Sequence, residues 1–275
     1  MRWSGLPMRI SCSFLSFVLL AGGFAQAQDP AIVQQARAYL GTEQALEAID
    51  AVRYRGQLTS TDTVGTGESR TVEAMVDILF QKPAQQRIVA QAGNKIEVTA
   101  LDGYEAWQWV HDPADPASPR LTLLGPEQVK RLRANTWENL YFFKAAQRSG
   151  GEVVDQGRVD LNGQPAHKLA FYHDEQIVFI RYFDPASGRL LQTETGRGDR
   201  IREDGEIQAG GIRFPERVIT DTPLPDGGHR TVTVIFDSIE VNDPLPPEAF
   251  GVPMMGETPM LEMIPAAGAD GSAGP

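Results

Sequence analysis

The side chains able to do chemistry in this sequence are few and poorly spaced for it. Its histidines are His111, His167, His173 and His229, and no H-x-x-x-H ligand pair occurs among them. His173-Asp174-Glu175 is the densest acid–base cluster, but it lies between two apolar runs and has the composition of a polar hairpin turn. Glu203-Asp204-Gly205-Glu206 lacks the spaced oxygen ligands of a calcium loop and reads as a solvated turn. There is no G-x-S-x-G elbow and no phosphate-binding glycine loop. These absences point away from an enzyme, a metal and a cofactor, and toward a protein that acts by binding.

The first residues suggest the compartment. Arg2 and Arg9 form a basic start, Ile10 to Phe24 is apolar, and Ala25-Gln26-Ala27 offers the small side chains a signal peptidase accepts. The apolar run is shorter than the ~20 residues a bilayer span needs, and Gly22 and Gly23 weaken it as a helix. We therefore expect a signal peptide over 1–27, cleavage after Ala27 and a soluble periplasmic chain. Cys12, the only cysteine, leaves with the leader. A disulfide framework, a thiolate zinc site and a cysteine nucleophile are then all excluded. Without Arg2 and Arg9 the chain has 23 basic against 36 acidic residues, a net charge of −13. That charge repels nucleic acid, and no basic, aromatic-interleaved patch offsets it.

Hydrophobic periodicity supplies the framework. Ile32, Val33, Ala36, Tyr39 and Leu40 recur at helical spacing behind Pro30, and Gly41 closes that helix. Thr42 is placed to cap a second helix with Leu46, Ile49 and Val52 on one stripe. From Arg53 the period becomes two, and Val72, Ala74, Val76, Ile78 and Phe80 share one face. Gly93-Asn94 and Asp102-Gly103 mark hairpins. A helical region from Glu127 to about Arg148 interrupts the strands, carrying Trp137, Leu140, Tyr141 and Phe143. Strands then resume near Glu152 and end at Val241. About ten strands at sheet or barrel spacing result. One domain over 28–253 and a disordered tail over 254–275 are expected.

Several motifs carry a resemblance. Lys82-Pro83 ends one strand, Arg87 lies in the next, and Asp102-Gly103-Tyr104-Glu105-Ala106-Trp107 follows on the way to Asp112-Pro113. The closing run Phe236-Asp237-Ser238-Ile239-Glu240-Val241-Asn242 precedes Phe250 and Pro253. In this order, they resemble the periplasmic outer-membrane lipoprotein carriers, the LolA/LolB-like family. The resemblance implies a mainly β fold with helices: a curved, incomplete antiparallel barrel closed by lid helices over an apolar cavity for acyl chains. It implies lipid or acylated protein as partner, together with inner- and outer-membrane transport components, and a monomer. Lys82 stands where the family's carrier has a lid-holding arginine, and Ile88 stands where the carrier places an aromatic residue. Tyr54-Arg55-Gly56 also looks like the related envelope-stress sensors, so a sensing module docked on a membrane partner is the alternative to a carrier.

Strand parity then names the candidate site. Val72, Val76, Ile78, Phe80, Val98 and Trp107 are the expected cavity wall, and Trp137, Leu140, Tyr141 and Phe143 the expected lid. Lys82 is in phase with the apolar face of its strand, so it snorkels at the rim, pairs with an inner carboxylate, or caps the strand end in solvent. Acyl burial contributes about 0.8 kcal/mol per methylene and needs no polar motif.

Overall fold

The structure, a computed structural model, describes residues 30–64, 67–173, 177–254 and 258–259. The expected leader lies outside the described residues, as does the tail apart from Met254, Thr258 and Pro259. Two helices lead: α1 (Ala31–Leu40) and α2 (Glu43–Glu47). The first strands are β1 (Ala51–Thr63), β2 (Ser69–Gln81), β3 (Gln85–Ala92), β4 (Lys95–Asp102), β5 (Glu105–His111) and β6 (Arg120–Leu123). Helices α3 (Pro126–Tyr141) and α4 (Ala145–Arg148) follow. Then come β7 (Glu152–Leu161), β8 (Gln164–Tyr172), β9 (Val178–Phe183), β10 (Leu190–Thr195) and β11 (Arg200–Asp204). A hairpin of β12 (Ile207–Ala209) and β13 (Ile212–Phe214) precedes β14 (Arg217–Pro223) and β15 (His229–Val241).

Thirteen strands make one antiparallel sheet in the order β6-β5-β4-β3-β2-β1-β15-β14-β11-β10-β9-β8-β7, open at β6 and β7. The sheet has more strands than the periodicity suggested. Pro215 splits the expected run Ile212 to Thr220 into β13 and β14, while β6 and β11 are only four and five residues long and mostly exposed. Ile88 on β3 and Phe179 on β9 are seven strand spacings apart, yet both line one cavity. Laid flat, those strands would be separated by roughly 34 Å, so the sheet is strongly curved. A bulge at Arg55/Gly56 contributes to the bend. A Cβ on Gly56 would stand 2.0 Å from the Ile235 carbonyl oxygen, so only glycine allows β15 this close.

Register fixes which side chains face inward. Ile78 lies opposite Ile88, and Ile88 opposite Thr99. The other face carries Val89, Val98, Ala100, Trp107 and Trp109 as a cluster of their own. The segment Leu245–Phe250 covers part of this outer face: Phe250 packs with Ala51 and Leu79, and Trp107 Nε1 donates to the Phe250 carbonyl at 2.8 Å.

The helices roof the inner face. Ile32, Val33 and Ala36 of α1 pack with Phe143, Leu169, Phe171 and Phe183. Leu46 and Ile49 join Val52, Tyr54, Phe80, Leu140 and Phe236. The second helix is shorter than its stripe suggested: Thr42 accepts from the Ala45 amide, but the helix ends at Glu47, and Val52 belongs to β1. The helical region expected from Glu127 to about Arg148 is two helices, parted where Phe142 (φ 45°) and Phe143 (φ 72°) are left-handed. Such backbone costs on the order of 1–3 kcal/mol per residue, and it persists where the surroundings over-determine it.

Arg37 does part of that. Buried on α1, it donates through Nη1 to the carbonyls of Tyr141 (3.0 Å) and Phe142 (2.7 Å), which end α3. Its Nε and Nη2 donate to Glu43 at 2.9 Å each, and Nη2 also reaches Glu47 at 3.2 Å. Lys144 and Arg148 pair with the same two glutamates, which ties α4 to α2. The Arg37 hydrogen bonds, aided by Lys144 and opposed by partial burial, hold the Glu43 carboxyl at about 2 instead of the ordinary 4.5. A depressed carboxylate stabilises the fold fully above its unfolded value and loses that contribution as pH falls through the folded one. Wild type should therefore exceed Glu43→Gln in urea-denaturation stability near neutral pH, and the gap should close as pH falls from about 5 toward 2. A constant gap across that range would contradict the linkage.

Candidate functional site

Between the curved sheet and α3 lies a cavity of about 390 Å³, within the roughly 300–1,000 Å³ typical of ligand pockets. Tyr54, Ile78, Phe80, Ile88, Phe142, Phe143, Phe214, Val218, Val234 and Phe236 form its apolar walls. Tyr54 anchors the aromatic side, with Phe236 at 4.9 Å, Phe214 at 5.9 Å and Phe80 at 6.1 Å between ring centres. The left-handed turn after α3 positions Phe142 and Phe143 in the lining. Gln86 of β3 seats the helix by accepting from Thr136 Oγ1 at 3.1 Å and Asn135 Nδ2 at 3.3 Å.

The structure brings Ile78, Phe80 and Phe143 together in this lining, and places the other expected residues elsewhere. Val98 and Trp107 sit on the outer face, because the β3–β4–β5 register puts Val98 opposite Trp109 and Ala100 opposite Trp107. Val76 is buried outside the lining, and Val72, near the far end of β2, is exposed. Leu140 is fully enclosed in the core. Trp137 is half-buried and donates from Nε1 to the Pro83 carbonyl at 2.9 Å. Lys82 follows directly on β2, with Nζ 3.8 Å from Asp50 and 5.3 Å from the centre of the Tyr141 ring. Lys82 and Tyr141 thus meet where the sheet meets the roof, but neither lines the cavity.

One end of the cavity is polar, and this was not anticipated. Glu138 of α3 is buried, with Oε1 2.5 Å from His173 Nε2 and Oε2 2.6 Å from Arg181 Nη1. The Arg181 contact is an ion pair without a well-directed hydrogen bond, and Arg181 Nε also lacks an acceptor. The guanidinium carbon lies 4.7 Å from the Phe171 ring centre and 5.2 Å from that of Phe143. Burial drives the Glu138 carboxyl up, but Arg181 and His173 outweigh it, so the group is held below its ordinary range. His173 is therefore not the solvated turn residue it resembled: its side chain is enclosed, and Ser149 Oγ lies 3.2 Å from Nδ1. Asp174 and Glu175 lie outside the described residues. Glu203, also read as part of a solvated turn, belongs to β11 and lines the cavity. Arg181 carried one signal in the sequence, as the charged residue in an otherwise apolar strand, Val178–Phe183. Glu203 carried none. Among the described residues, no cluster of three or more His, Cys, Asp or Glu side chains could hold a metal, and no helix is long and apolar enough to cross a membrane.

Neither a protein-family model nor a curated protein matches the sequence. Solved structures do. A domain from Vibrio parahaemolyticus named for outer membrane lipoprotein sorting is 13% identical, over 80% of this chain and 94% of its own, with a TM-score of 0.50. A LolA superfamily protein from Nitrosomonas europaea is 14% identical over 80% and 96% (TM-score 0.47). A DUF1329 family protein from Desulfovibrio piger is 9% identical over 80% and 96% (TM-score 0.48). At such identities the likeness is one of fold, and the Vibrio domain carries it. An open antiparallel sheet wrapped around a helix-roofed cavity is the fold this chain shares with the Vibrio domain.

Proposed function

We propose that this protein is a periplasmic carrier that takes lipid, or the acyl chains of lipoproteins, into the cavity and passes them toward the outer membrane. The observation that carries the reading is the cavity itself, walled by Ile78, Phe80, Ile88, Phe142, Phe143 and Phe214 under α3. Each methylene buried there contributes about 0.8 kcal/mol with no directional bond to break on release. The fold shared with the Vibrio lipoprotein-sorting domain supports it. In this reading the leader is removed after Ala27, residues 28–253 form the carrier, and no reaction is catalysed. Ile78, Phe80 and Phe143 contact the chain, and Lys82 with Tyr141 lies at the rim.

A fluorescent fatty acid should bind with its emission shifted to the blue, as expected of a probe leaving water. Ile78→Glu sets an uncompensated carboxylate on the wall and should weaken that binding by about tenfold or more. Unchanged affinity in a variant that keeps its far-UV circular dichroism would remove Ile78 from the site.

The roof depends on Glu138, Arg181 and His173. Glu138→Leu leaves Arg181 buried without its counter-ion and should cost about 3–5 kcal/mol. Adding Arg181→Met should recover part of that loss. Thermal or urea denaturation of the two variants checks this, and a double variant weaker than the single one would contradict it.

A further inference from the structure

We propose that the polar end of the cavity selects an amphiphile with a zwitterionic head group, its anionic part meeting Arg181 and its ammonium meeting Glu203. This rests on the acyl-binding reading and adds the class of head group to it.

Glu203 stands on β11 opposite Val218 of β14, and Val218 lies opposite Val234 of β15. All three line the cavity, so apolar side chains flank this carboxyl across the sheet, and Arg189, Asp204, Glu206 and Arg213 belong to the same lining. No hydrogen bond or ion pair holds it among the described residues. The residue is exposed to the open cavity, with protein packed around the opening. Burial pushes its carboxyl up, and the charge of Arg181 partly restrains that rise. Its own charge in turn adds to the burial that pushes the Tyr54 phenol up.

Arg181 is 6% exposed and lines the same cavity, with Nε lacking an acceptor. The cavity thus presents a buried donor without an acceptor and, on the same wall, an exposed carboxylate that no protein group pairs. The two sense each other's charge but form no ion pair, because Glu138 holds the arginine. A ligand carrying both charges would satisfy both groups at once. A purely anionic head would face Glu203 uncompensated, and a purely cationic one would face Arg181. The anionic part can be a phosphate or a carboxylate, since both accept from a guanidinium.

Isothermal titration calorimetry on the mature chain, below micelle-forming concentrations, tests this with amphiphiles of equal chain length. The panel is a monoacyl phosphoethanolamine, an Nε-acyl-lysine, a monoacyl phosphoglycerol, an alkylammonium and an uncharged monoacylglycerol. At least one of the first two should bind roughly tenfold or more tighter than the anionic, cationic and uncharged probes. Which of the two wins distinguishes a phosphate-bearing head from a carboxylate-bearing one. Glu203→Gln, which breaks no bond and should melt like wild type, should cut the preference over the anionic probe to about threefold or less. A flat ranking with the uncharged probe bound overturns this inference alone, as does a preference that survives Glu203→Gln. Failure of every probe to bind overturns the acyl-binding reading and this one with it.

Discussion

The inner face of the sheet is larger than the helices available to cover it. Thirteen strands curve around a space roofed by helices of ten, five, sixteen and four residues. A sheet that buries apolar side chains must pack them against something, and close packing is the norm in protein interiors. Here the packing stops short. Tyr54, Phe80, Phe214 and Phe236 pack on one another and on the ends of the helices, and a cavity remains beyond them. This incompleteness of the core is what the proposed carrier requires.

A roof that leaves space beneath it gains less from burial and needs other ties. Polar groups with partners on separate elements provide them: Arg37 joins α1 to the end of α3 and to α2, and Glu138 joins α3 to the far wall through Arg181. Such pairs contribute little net stability, because taking charges out of water nearly offsets their attraction. Breaking one from a single side leaves a buried charge uncompensated, however, so they fix where the helices sit. Arg37 accordingly sits where the backbone is most strained, at the left-handed turn that presents Phe142 and Phe143.

The sequence shows the elements more clearly than their faces. Alternation in β2 identified Ile78 and Phe80, and the hairpin glycines gave the β3–β4 and β4–β5 turns. It misassigned Val98 and Trp107, because in β4 and β5 the apolar face is the outer one, with Val98, Ala100, Trp107 and Trp109, while the inner side carries Glu97, Thr99 and Gln108. Alternation shows that a strand has an apolar face, but whether that face turns inward is decided by cross-strand register, which periodicity within one strand does not encode. Arg37 and Glu138 were missed for another reason. Buried charged residues look like surface ones until their partners, 104 and 43 positions away, are brought beside them by the fold (Tyr141 and Arg181).

The central claim is that this unfilled core is a place for a hydrocarbon chain. Native mass spectrometry of the protein purified from periplasmic extract without detergent tests it most directly. The account predicts a population heavier than the bare chain that, on activation, releases acyl-bearing molecules. A bare mass, in a protein that also fails to take up fatty acid afterwards, would contradict it.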